Sequence, residues 1–145
     1  MKILYSDTNK KHRENAKALR GGKKDLSIQE LSDIKLYLQQ YKDCLENIQI
    51  FEGKVKEFRV CSCFSDNFET ELLEFLINKH KADISIVVIL SQKIVLFKKS
   101  DTCNINLCEL AKILCDGECI EETTNLAYGN LNKTFLNFTT TLTPC

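Results

Sequence analysis

Histidine, glycine, proline and tryptophan are scarce in this sequence, and each shortage excludes something. There is no tryptophan, one proline (Pro144), two histidines and five glycines among 145 residues. General acid–base chemistry at neutral pH rests most often on histidine. Here His12 lies in a basic lead-in, and His80 closes a helical stretch where it can face the helix C-terminal dipole; both read as structural or solvated groups. A loop that cradles phosphate needs closely spaced glycines opening a helix. Gly21-Gly22 and the isolated Gly53, Gly117 and Gly129 form no such loop. The chain also lacks Gly-x-Ser-x-Gly, His-Glu-x-x-His and any Asp/His cluster able to hold two metals, so it offers no stand-alone catalytic site. No segment reaches the roughly 18 apolar residues of a membrane span, and the apolar run after Met1-Lys2 is too short for a signal peptide.

Net charge is absent too, because twenty basic side chains cancel twenty acidic ones. No global field argues for nucleic acid or membrane. The imbalance is local: residues 1–25 carry eight Lys/Arg against three acids, and residues 101–122 carry six acids against Lys112 alone. What the chain has in abundance is cysteine, with eight residues at 44, 61, 63, 103, 108, 115, 119 and 145. An even count invites a disulfide framework, but that belongs to small secreted chains with poor cores. With 43% hydrophobic residues and no export signal, reduced cytoplasmic thiols are expected, and Cys61, Cys108 and Cys115 read as small buried hydrophobes. The cysteine spacings do not repeat the paired C-x₂₋₄-C pattern of a zinc site. Carboxylates beside Cys119 (Glu118, Glu121) raise a thiol pKa and make it a poor nucleophile. Two glycosylation sequons, at Asn132 and Asn137, carry no weight without export.

The length suits one domain, divided as a basic lead-in over 1–26 and a single α+β domain over 27–145. In the lead-in, Arg13–Leu19 can form a helix stopped by Gly21-Gly22. Ser27 and Glu30 form a capping box, opening a long amphipathic helix to about Glu46 with Leu31, Ile34, Leu38, Tyr41 and Leu45 at helical spacing. Asn47–Phe51 and Val55–Phe64 read as strands around a turn at Gly53. Ser65-Asp66-Asn67 caps a helix over Phe68–His80. Ile84–Leu90 is almost unbroken β-branched and aliphatic residues, which suits a strand buried on both faces. Ser91-Gln92-Lys93 turns the chain into a second apolar run, Ile94–Phe97. A helix then begins near Ile105, with Leu107, Leu110 and Leu114 on one face. After Leu114, Cys115–Thr124 reads as an acidic turn and Phe135–Phe138 as a short final strand. The expected fold is a mixed sheet around a central hairpin, packed by helices.

From Ile48 onward, the order of elements resembles the DHH-associated domain, the C-terminal substrate-binding domain of DHH phosphoesterases. Val95–Ser100 resembles the family's hairpin end, and Ile105–Leu114 resembles the following helix in its Leu-Ala-x-x-Leu ending. Cys115–Cys119 falls where the family has a Gly-Gly-Gly-His loop, and Ala127-Tyr128-Gly129 resembles its later Ala-Ala-Gly segment. Only Gly117 of the glycine loop is present, and Cys119 stands at the histidine position. The resemblance implies an accessory role in a metal-dependent phosphoesterase. The substrate, a nucleotide or single-stranded oligonucleotide, would meet Lys98, Lys99, Ser100, Gly117 and Cys119. Manganese or magnesium would belong to a separate catalytic domain, in cis or in another chain. The other reading is a small cytoplasmic α+β protein-interaction module without nucleotide, using the acidic loop Asp116–Glu122. Neither reading involves a membrane.

Overall fold

The computed structural model describes residues 9–22, 25–115, 119–123 and 125–145, with 119–123 described by backbone alone. Two compact units divide between Ile48 and Gln49. The first is a helical pair, α1 (Lys10–Arg20) and α2 (Ile28–Asn47). Gly22 ends α1 in the left-handed region at φ 64°, which costs a glycine little. The capping box at α2 is formed as the sequence predicts: Ser27 Oγ accepts from the Glu30 backbone N–H at 3.1 Å, and Glu30 Oε1 accepts from the Ser27 N–H at 3.1 Å. Ala16, Ile34 and Tyr37 are buried, and the His12 and Tyr37 rings lie 5.9 Å apart. No described helix is long and apolar enough to cross a membrane.

The second unit is the α+β layer expected. Its elements are β1 (Ile50–Val55), β2 (Phe58–Phe64), α3 (Glu69–Asn78), β3 (Ile84–Ile89), β4 (Ile94–Lys99), α4 (Leu107–Cys115), β5 (Cys119–Thr123), β6 (Leu126–Asn130), α5 (Lys133–Thr139) and β7 (Thr143–Pro144). The strands form one mixed sheet in the order β5-β6-β4-β3-β2-β1-β7. β2 and β3 run parallel through the α3 crossover; the other described pairings are antiparallel.

The predicted hairpin of β3 and β4 lies at the middle of this sheet, and every residue of β3 is buried. Alternation sends Ile84, Ile86, Val88, Val95 and Phe97 to one face. There they join Leu107, Leu110, Ala111 and Leu114 of α4 and Phe135 of α5 in the main core. Val87, Ile89 and Leu96 turn to the opposite face, where Leu72, Leu73 and Leu76 of α3 are also buried. A strand with helices on both sides has no solvent face, which is why its sequence shows no polar alternation.

Five local expectations are corrected. The first hairpin turns at Lys56-Glu57, with Lys56 at φ 56°, while Gly53 sits inside β1 opposite Val60. Its reason is space: a Cβ there would lie 2.6 Å from Leu142 Cδ2. The helix predicted from Phe68 starts at Glu69, with Phe68 left-handed at φ 60°, and the one predicted near Ile105 starts at Leu107, where Asn106 Oδ1 accepts from the Glu109 N–H at 3.0 Å. Phe135–Phe138 is helix α5 rather than a strand, because Asn132 caps it by accepting from the Phe135 N–H at 3.0 Å. The acidic segment is not all turn: 119–123 pairs as strand β5 with β6, while Asp116, Gly117 and Glu118 lie outside the described residues.

Candidate functional site

The open end of the β3–β4 hairpin carries Lys98, Lys99 and Ser100, three of the residues the sequence singles out as candidates for substrate contact. Lys98 and Lys99 close β4, opposite Ser85 and Ile84. Adjacent strand residues point to opposite faces, so the two lysines diverge. Lys99 turns towards the α4 side, and its Nζ donates to the Ile105 carbonyl at 2.9 Å. Lys98 lies on the α3 side, its carbonyl accepting from Ser85 Oγ at 3.4 Å. Beyond the strand, the Ser100 N–H donates to the Asp83 carbonyl at 2.9 Å, which ties the chain to the entry of β3.

Lys98, Lys99 and Ser100 line one cavity of about 270 Å³ with Asp101 and with Glu74, Ile77 and Asn78 of α3. The sequence reading named the first three and missed the rest. The signal available was spacing: 74, 77 and 78 share one helical face. The residues around the cavity carry two ammonium groups and two carboxylates, but the Lys99 ammonium turns to the α4 side, where it already has a carbonyl partner. Asp101 Oδ1 accepts from Asn125 Nδ2 at 3.1 Å. Such a site presents donors and acceptors in balance rather than a net positive field.

Gly117 lies outside the described residues. The Cys119 backbone pairs with Gly129, which itself pairs with Val95. Cys119 is therefore two strands away from β4, at a level three residues before Lys98, or about 10 Å along the strand. The small Gly129 is needed for packing: a Cβ there would meet Cys115 Sγ at 2.4 Å and Cβ at 2.8 Å.

A second concavity, of about 520 Å³, lies between the β1–β2 turn and helices α4 and α5. Val55, Phe58, Ile105, Leu110, Ile113 and Phe138 give it an apolar lining, and Ile113 is 70% exposed. Elsewhere, Glu52 on β1 pairs with the Arg59 guanidinium on β2. The hydrogen bond and charge of Arg59 hold the Glu52 carboxyl below its usual range. Arg59 also donates from Nε to the His80 carbonyl at 3.1 Å and from its N–H to Asp83 Oδ2 at 2.8 Å. This pins the start of β2 to the loop leading into β3.

Cys44, Cys61, Cys63, Cys103, Cys108, Cys115 and Cys145 are thiols outside any disulfide. Cys61, Cys63, Cys103 and Cys115 are buried, Cys108 is half-buried rather than buried, and Cys145 is exposed. Burial pushes the Cys61 thiol up to about 11 and the Cys115 thiol up to about 12. Among the described residues, no group of three or more His, Cys, Asp or Glu is placed to hold a metal ion.

No family model and no curated protein matches this chain. An uncharacterized protein from Helicobacter pylori G27, solved as a crystal structure, aligns with 73% of this chain and 28% of its own, at 18% identity and a TM-score of 0.43. This chain thus spans less than a third of that protein's length.

Proposed function

We propose that the 49–145 unit is a ligand-holding module without catalytic chemistry of its own. In this reading it presents a nucleotide or short single-stranded oligonucleotide to the metal centre of a DHH-like phosphoesterase domain, in cis or in another chain, in the cytoplasm. One observation carries the reading: three consecutive residues at the end of the central hairpin, Lys98, Lys99 and Ser100, line a concave site together with polar groups of α3. The mixed charge of that site predicts weak binding, on the order of 10⁻⁴ M or weaker at physiological salt, and weaker still as salt rises.

The test is a titration of a labelled single-stranded oligonucleotide against the wild type and a Lys98→Ala/Lys99→Ala variant at low salt. Loss of binding in the variant supports the reading, and tight binding indifferent to the two substitutions moves the site elsewhere. If the wild type shows no binding at low salt, the interaction-module reading takes its place. That second reading draws on the apolar groove beside Ile113, whose large exposed aliphatic side chain is the kind of group a protein partner covers.

A further inference from the structure

One face of helix α2 is both apolar and basic. Ile28, Leu31, Lys35, Leu38 and Lys42 follow one another at spacings of three and four residues, so they lie along a single face about 21 Å long. Ile28 is 88% exposed, Leu31 41% and Leu38 50%, and both lysines are exposed. The helix buries a different face, that of Ile34 and Tyr37, where the His12 ring of α1 lies near Tyr37. Scattered aliphatic side chains on a surface need no explanation, but a contiguous open row marks an interaction surface. The lysines do not spoil it, because a lysine lays its methylene stem along apolar surface and sends its ammonium to the edge.

The groove between the β1–β2 turn and helices α4 and α5 has the converse character. Val55, Phe58, Leu110 and Phe138 line it, and Ile113 adds an aliphatic side chain that is 70% exposed. Its charged groups are Lys56 and Glu57 on the turn and Glu109 on α4, all three exposed. Two carboxylates thus stand against one ammonium, with a carboxylate on each wall. Such a rim disfavours a nucleic acid and favours an apolar segment that carries cations. An amphipathic helix laid into an apolar groove is a recurring mode of recognition, and the face of α2 supplies the anchors and the charge this groove lacks. Every copy of the chain carries both surfaces. Two copies can therefore exchange helices about a two-fold axis, so that each contact occurs twice. Doubling the contact brings the buried area of one association towards the about 1,200–2,000 Å² of a stable interface.

We propose that the groove holds helix α2 of a second copy of this chain, the two copies engaging reciprocally. Ile28, Leu31 and Leu38 pack on its apolar lining, and Lys35 and Lys42 lie beside Glu57 and Glu109. The groove is on the α4 side of the sheet and the Lys98 cavity on the α3 side. The proposal does not rest on the oligonucleotide reading; it names an occupant for the groove on which the interaction-module reading draws.

Sedimentation equilibrium of the full chain tests it. The wild type should pass from monomer to dimer as its concentration rises from micromolar to millimolar. Lys35→Glu/Lys42→Glu and Glu57→Lys/Glu109→Lys change exposed side chains alone, so both variants should fold. Each should weaken dimerisation at least about tenfold by bringing like charges together. Mixed in equal amounts, they should recover the wild-type affinity to within about threefold, because the reversed helix then meets the reversed groove and the native helix the native groove. Lys98→Ala/Lys99→Ala should dimerise as the wild type does, so the two sites can fail separately. Three results would each overturn the proposal: a wild type that stays monomeric throughout, a dimer weakened by the α2 reversal but not by the groove reversal, or a mixture no tighter than its components. The first would leave α2 to another surface, and the second would pair helix with helix.

Discussion

Gly129 and Gly53 present the same substitution with two different obstacles. A Cβ at Gly53 meets the end of the Leu142 side chain, which can rotate away. A Cβ at Gly129 meets both Sγ and Cβ of Cys115, and a Cβ on helix α4 moves only if the helix moves. Overpacking of the second kind costs about 1–3 kcal/mol. Gly129→Ala should therefore destabilise the protein by about 2 kcal/mol and Gly53→Ala by less than about half of that. Urea denaturation of both variants checks this, and adding Cys115→Ala should recover part of the Gly129→Ala loss and none of the Gly53→Ala loss. The buried thiols make a separate prediction. Their folded pKa values, about 11 for Cys61 and about 12 for Cys115, lie above the ordinary thiol value of 9.0. Above pH 9 the unfolded chain releases protons that the folded chain retains, so the contribution of these groups is complete below pH 9 and is lost as pH rises to 11–12. Stability measured under reducing conditions should fall across that window. Cys115→Ala should flatten the fall, and an unchanged slope would show that other groups cause it.

Helix α2 rests on a cap that both sequence and structure identify. Ser27→Ala removes the acceptor for the Glu30 N–H and should cost about 1 kcal/mol, read as faster amide exchange in the first turn of α2. Elements with strong periodicity were legible in this way: α2, α3, the hairpin of β3 and β4, and the apolar face of α4. Three others were not, and the reasons are physical. β6 carries Ala127 and Gly129 because α4 presses on it, so it lacks the bulky alternation by which strands are recognised. α5 is rich in threonine and phenylalanine, which favour strands, but the Asn132 cap and the burial of Phe135 decide for helix. β5 is an acidic strand at the described edge of the sheet, where charge is tolerated and even useful against unwanted pairing. The site divides along the same line. Lys98–Ser100 could be found because they end a legible strand. Glu74 and Asn78 join them only through the packing of α3 on the sheet, which local sequence does not encode.

At the scale of the whole molecule, a helical pair and a seven-stranded layer meet in the chain at Ile48-Gln49, where α2 has just ended and β1 is about to begin. Within the layer, antiparallel neighbours such as β1–β2 and β3–β4 are joined by short turns, whereas β2 reaches its parallel neighbour β3 only through residues 65–83. That difference has a consequence in time. Hairpins of this kind close in about 1–10 μs, while a pairing across a longer crossover must first meet the entropy of loop closure. The two hairpins should form early and independently, and folding should wait for the moment at which they join. Val87→Ala, on the β2–β3 seam opposite Cys63, should then slow folding in stopped-flow refolding. Phe51→Ala, out on β1, should mainly speed unfolding. The β2–β3 parallel seam would thus act as the clock of the molecule, setting the pace at which two quickly made halves become one sheet.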